Sequence, residues 1–279
     1  MKLHYRKIGS GPPLLVLHGL LGSLDNWQPV TQRLAERFTV FALDLRNHGL
    51  SPHSPDMSLE TLSEDVAKFV RDHGLERIHL LGHSLGGRVV MHFALHRAGS
   101  VERLVVADMS PRAPDPARAV AVRAMLAALR RLPVQTARTR EELDAALAQD
   151  VPDPAARQFL LKNLVRERNG GFRWKVNLDA LWQNHSRLAV AVHASVPCPR
   201  PALFLRGERS DFVLPADEPL IRELFPYAQI HTVPNAGHWL QVEQPEYVAA
   251  VIRTFLTGHT GSEPRMPVPG PQADAVLGN

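Results

Sequence analysis

A chain of 279 residues, 44% of them apolar, can bury one sizeable core, and α/β domains use that length without splitting. The formal net charge is +4, but no run of Lys and Arg interleaved with aromatics tracks a phosphate backbone, so no nucleic-acid partner is expected. The single cysteine, Cys198, excludes an intrachain disulfide and a cysteine-type metal site; there is neither a signal-peptide core nor an apolar stretch of transmembrane length, so a cytoplasmic protein without membrane insertion is expected.

Apolar runs of strand length recur along the chain. The first, "PLLVLHG" from Pro13, ends in His18-Gly19, and "FTVFALD" from Phe38 is the second. "SLETLSEDVAKFVRDHG" then places Leu59, Leu62, Val66, Phe69 and Val70 on one helical face, with Ser58 as N-cap and Gly74 as stop. "RIHLLG" from Arg77 and "RLVVAD" from Arg103 are strands separated by an amphipathic helix. From Pro111 the alternation stops. Four helical candidates follow: "ARAVAVRAMLAALRRL", "TREELDAALAQ", "PAARQFLLKNLVRER" and "LDALWQNHSRLAVAVHA". Strands resume with "PALFLRG" from Pro201 and "QIHTVPNAG" from Gln229, and "PEYVAAVIRTFL" closes the pattern. Strand and helix in alternation predict a mostly parallel central sheet flanked by helices. The expected organisation is a core over 1–110 and 198–258, a helical cap over 111–197, and a disordered Pro- and Gly-rich tail over 259–279.

The stretch "GHSLG" puts Ser84 between Gly82 and Gly86 at a strand-to-helix turn. That is the setting of a nucleophile elbow, in which side chains two residues either side of the serine would collide across the sharp bend. A serine nucleophile needs a base, and His238 in "VPNAGHW" follows a late strand at the sheet edge where catalytic groups collect. It also needs two backbone N–H groups aimed at the oxyanion: Leu85, directly after the nucleophile, and Leu20, after the His18-Gly19 turn. Met109, Phe172, Trp174, Trp182 and Trp239 are candidates to line a substrate pocket with Leu20.

"LHGLLGS", "DLRNHGLSP", "GHSLGG", "ADMSP" and "PNAGHW" together resemble the α/β-hydrolase superfamily, in its order and spacing. The form Asp44-Leu45-Arg46-Asn47-His48-Gly49 is similar to a branch of small bacterial esterases and acyl-thioesterases with mitochondrial relatives. The resemblance implies a carboxylesterase that cleaves short to medium acyl esters of small molecules through an acyl-enzyme. It implies no metal and no organic cofactor, and it gives Arg46, Asn47 and His48 a loop-shaping role. An acyl-thioesterase, or a ligand-binding protein with low turnover, shares the same fold. The superfamily's acid is expected three residues after the glycine of "PALFLRG", where this chain has Ser210, with Asp211 next to it. In the branch resembled, the acid can come from the D-x-S-P turn, here Asp108-Met109-Ser110-Pro111. Both aspartates stay open, with Asp108 favoured.

Overall fold

The computed structural model describes residues 1–168 and 170–258, so the expected tail over 259–279 lies outside the described residues. In chain order the core begins with strands β1 (Tyr5–Ile8) and β2 (Pro13–Leu17), helix α1 (Gln28–Leu34), β3 (Thr39–Leu43) and α2 (Leu59–Asp72). It continues with β4 (Ile78–His83), α3 (Leu85–His96) and β5 (Val101–Ala107). An inserted segment then carries α4 (Pro116–Arg131), α5 (Arg140–Leu147), α6 (Pro154–Leu161), β6 (Leu164–Arg166), β7 (Phe172–Trp174), α7 (Leu178–Gln183) and α8 (His185–Leu188). The core resumes with β8 (Ala202–Gly207), α9 (Glu218–Leu224), β9 (Ala228–Val233), α10 (Leu240–Glu243) and α11 (Pro245–Leu256).

Seven strands form one sheet in the order β1-β3-β2-β4-β5-β8-β9. Only β1 runs antiparallel to its neighbour. The strands read as continuous apolar runs because both faces are covered. Leu15, Leu17, Leu80 and Val106 pack on the side of α2 and α3, while their chain neighbours Leu14, Val16, Leu81 and Val105 pack on the side of α1 and α11. The α2 helix starts as its sequence dictates: the Ser58 hydroxyl accepts the Thr61 N–H at 3.2 Å, and Thr61 Oγ1 accepts the Ser58 N–H at 2.8 Å.

Two elements differ from expectation. The first is β1, which pairs Tyr5–Ile8 with β3 at the sheet edge. Its residues are half or fully exposed, so no apolar run announces it. The second lies in the insertion, where "PAARQFLLKNLVRER" was expected as one helix of a helical cap. There α6 stops at Leu161, and β6 pairs antiparallel with β7 around the Gly170-Gly171 neighbourhood. A Cβ on Gly171 would lie 2.2 Å from the Gln135 carbonyl oxygen, so the hairpin is built on a close backbone approach. Among the described residues no helix is long and apolar enough to cross a membrane.

Candidate active site

Five adjacent strands, β2, β4, β5, β8 and β9, bring their C-terminal ends to one edge of the sheet, and each delivers a piece of the site there. Ser84 follows β4 with φ 52° and ψ −115°, a strained backbone for a non-glycine residue. The collisions expected at the elbow are present. A Cβ on Gly82 would come within 2.2 Å of the Gly86 carbonyl oxygen, and one on Gly86 within 2.4 Å of the Leu17 carbonyl oxygen. Each neighbour is backbone and cannot move aside. The bend therefore lifts Ser84 out of the sheet at the start of α3, whose first amides present a positive dipole end.

The loop after β2 runs through Gly19 and Leu20. Its turn is closed by the Gly22 N–H on the Gly19 carbonyl at 3.0 Å. Leu21 takes φ 60° and is held in place on both sides: its N–H donates to His48 Nε2 at 3.1 Å, and its carbonyl accepts from Asn163 Nδ2 at 2.7 Å. His18 makes the parallel arrangement, accepting the Leu45 N–H on Nε2 at 3.0 Å with Nδ1 against the Gly19 carbonyl at 2.8 Å. Both imidazoles must be neutral to accept these bonds, and burial favours that state: His18 is pushed down from its ordinary pKa and His48 to about 3. The backbone N–H groups of Leu20 and Leu85 donate to no group among the described residues.

The loop of Arg46, Asn47 and His48 supports this wall. Arg46 is bonded to the buried Asp65 carboxylate at 2.6 Å, and Asn47 Oδ1 accepts from the Ser54 N–H and from Asn177 of the insertion. His83, next to Ser84, donates from Nε2 to the His238 carbonyl at 2.8 Å and so joins the two loops; burial holds its pKa well below the ordinary value.

His238 follows β9, and its Nδ1 lies 2.7 Å from Asp108 Oδ2. Asp108 follows β5, is fully buried and takes φ 48°. Its Oδ1 accepts the Gly207 N–H at 3.0 Å, and its Oδ2 also accepts the Ser210 hydroxyl. Of the two candidate acids the structure thus brings Asp108, not Asp211, to the imidazole. Asp211 is exposed and paired with Arg118 at 2.6 Å, and that hydrogen bond holds its carboxyl below the usual range. In this loop the Ser210 hydroxyl is the group that meets Asp108, while the Asp211 carboxylate is held on Arg118.

Two cavities meet at Ser84 and share Leu20, Arg118, Val122 and Phe212. One is further lined by Leu85, Arg88 and Met109, the other by His238, Trp239 and Phe159. Of the expected lining residues, Leu20, Met109 and Trp239 are in place. Phe172, Trp174 and Trp182 are not. Phe172 is buried in the hydrophobic core, with Trp174 packed on that core from the β6–β7 hairpin, and Trp182 lies under the Arg123 and Arg130 guanidiniums. Trp174 and Trp182 line a separate groove with Arg130 and His53. Sequence reading missed Phe212, whose ring stacks on His238 at 3.6 Å between centroids, and Arg118, whose guanidinium lies 3.8 Å over the other side of Phe212. No motif marks either residue; the sole sequence hint is that Phe212 adjoins Asp211.

The family described as alpha/beta hydrolase fold matches residues 12–245. The chain is 39% identical over 251 residues to the sn-1-specific diacylglycerol lipase ABHD11 of Mus musculus, covering 88% of this chain and 81% of that protein. It is 30% identical to Esterase YbfF of Escherichia coli, covering 88% of this chain and 92% of that one. Among solved structures, a marine microorganism esterase matches with a TM-score of 0.88 at 39% identity, covering 91% of this chain and 99% of that one.

Proposed function

The chain belongs to the α/β-hydrolase fold family, and on that premise we propose that it is a serine hydrolase of carboxyl esters, with Ser84 as nucleophile, His238 as base and Asp108 as the acid that orients it. The observation that carries the reading is the 2.7 Å contact between His238 Nδ1 and the buried Asp108 carboxylate, at the same sheet edge as the strained Ser84 turn. His238 Nε2 takes the Ser84 proton as the hydroxyl oxygen attacks the ester carbonyl carbon, and the resulting oxyanion is held by the Leu20 and Leu85 N–H groups. The C–O bond to the alcohol breaks and His238 returns the proton to the leaving oxygen. Water then adds to the acyl-serine with His238 as base, releasing the acid and restoring Ser84. Asp108 keeps the imidazole in the tautomer with Nδ1–H and stabilises its cation.

Esters of short to medium acyl chains are the proposed substrates. The cap over 111–197 supports this, since the one long helix it carries, α4, is only weakly amphipathic, with three buried residues, and its other elements are eight residues or fewer. The name of the Mus musculus relative favours a second reading, cleavage of a diacylglycerol. Turnover of p-nitrophenyl butyrate against dioctanoyl and dioleoyl glycerol separates the two; interfacial activation on the long-chain glyceride would overturn the first. The catalytic assignment is tested by Ser84→Ala, expected to lose at least about 10³ in kcat with the thermal melt retained. A fluorophosphonate should add one covalent mass to the native protein and none to the variant. Ordinary turnover in Ser84→Ala would overturn the reading.

A further inference from the structure

The two cavities at Ser84 divide the substrate. His238 must hand its proton to the leaving oxygen, so the cavity lined by His238 and Trp239 is the alcohol side, and the one lined by Leu85, Arg88 and Met109 takes the acyl chain. The acyl side is apolar over Met109, Val122, Leu126 and Leu188, yet Arg88, Arg112 and Arg118 also line it, and no Asp or Glu does among the described residues.

Two of these charges have partners. Arg112 pairs with Asp217 at 2.7 Å and Arg118 with Asp211 at 2.6 Å. Arg88 has no carboxylate partner among the described residues. It is 5% exposed and sits one turn beyond the nucleophile, its N–H donating to the Ser84 carbonyl at 3.1 Å. Its two terminal nitrogens each donate to a backbone carbonyl, those of Val190 and Arg112, leaving Nε–H and one hydrogen on each terminal nitrogen. Burial, with the neighbouring Arg112 charge, draws its pKa down to about 10, as befits a cation lacking a counter-charge. A buried, uncompensated guanidinium is costly unless an anion meets it.

We propose that the acyl-side cavity receives an acyl group ending in a carboxylate, with Arg88 as its counter-charge, so that the substrates are half-esters of dicarboxylic acids; this rests on the ester-hydrolase reading above. The apolar wall fits the methylene spacer, and the guanidinium fits the terminal carboxylate. With Arg112 and Arg118 already paired, about one positive charge remains, which matches a carboxylate and not the nearly double charge of a phosphate. The reaction is unchanged: ester and water give the alcohol and a dicarboxylic acid.

Mono-p-nitrophenyl adipate and p-nitrophenyl hexanoate present acyl chains of equal length that differ in the terminal charge. The native protein is expected to favour the adipate ester by about 10-fold or more in kcat/KM. That ratio should fall by a similar factor in Arg88→Gln and be largely kept in Arg88→Lys. Parity, or preference for the hexanoate, overturns the carboxylate subsite while the ester-hydrolase reading stands; no turnover of either ester overturns both. A measurement on the native protein alone guards against a misfolded variant: adipate should inhibit hexanoate ester hydrolysis about 10-fold more strongly than hexanoate does. Equal inhibition, or stronger inhibition by 5-phosphonopentanoate than by adipate, overturns the assignment.

Discussion

Asp108 and Asp211 show what a single side chain's surroundings decide. Both were eligible in the sequence, three residues of loop and one strand apart in the sheet. Asp108 is sealed beneath His238 with three donors on its two oxygens, so its charge is fixed in place and aimed. Asp211 stands in water with Arg118, a setting in which an ion pair contributes little. Replacing Asp108 by Asn offers an amide hydrogen toward Nδ1 and turns the imidazole to the wrong tautomer. Asp108→Asn is therefore expected to lose up to about 10⁴ in kcat, whereas Asp211→Asn stays within about threefold. Steady-state rates on one activated ester, with thermal melts as a control, decide it; a dead Asp211→Asn beside an active Asp108→Asn would reverse the assignment. Ser210 holds the position where the superfamily's acid was expected and donates to Asp108 instead, so the departure in sequence is matched by a carboxylate arriving from the neighbouring strand.

At the scale of elements, the strand-turn-helix around Ser84 was legible because its glycines have no substitute. The Gly82 and Gly86 positions face backbone oxygens at distances no Cβ tolerates. Gly82→Ala and Gly86→Ala are each expected to cost about 1–3 kcal/mol or more, and to lose activity by displacing Ser84. Gly74 makes the contrast: it takes φ +60° at the end of α2 with nothing within 4 Å of its missing Cβ. Gly74→Ala should cost only about 1 kcal/mol, from the backbone angle alone, with activity intact. Urea midpoints of the three variants provide the comparison, and equal losses would contradict it. The elements that escaped sequence reading share a cause. The β1 strand is polar and at an edge, and the β6–β7 hairpin has three residues per strand, too few for period-two alternation to show against the surrounding helices.

Across the whole molecule, stability should depend on pH through its buried imidazoles. His18, His48 and His83 are all held below the ordinary histidine pKa, mainly by desolvation, and His18 and His48 each accept a backbone N–H that protonation would forfeit. The unfolded chain binds a proton at each near pH 6.5, and the folded chain only at lower pH, well below for His83 and near 3 for His48. In this window the unfolded state holds more protons, so stability rises with pH. It is fully present above about pH 6.5 and declines as the pH falls toward the folded values. His48 is expected to remove about 1.4 kcal/mol between roughly pH 7.5 and 5.5, with His18 and His83 acting in the same direction. Urea unfolding across that range should show the midpoint falling on acidification; a flat profile would mean that these histidines take up protons in the fold at the same pH as in the unfolded chain.

The sequence by itself determined the alternation of strand and helix, the Ser84 turn, and the late loop bearing His238, because each rests on local constraints: apolar periodicity, steric collision at a bend, chain order along a parallel sheet. Tertiary structure alone decided which carboxylate meets the imidazole, since that depends on β5 and β8 lying side by side though 94 residues lie between them in the chain. It also decided which aromatics face the site. Trp174 and Trp182 belong to another groove, while Phe212 stacks on His238 and Arg118 lies over Phe212, from a loop and a helix distant in sequence. Hydrophobicity marks a ring for burial, but the wall against which it is buried is fixed only when the insertion packs over the sheet edge.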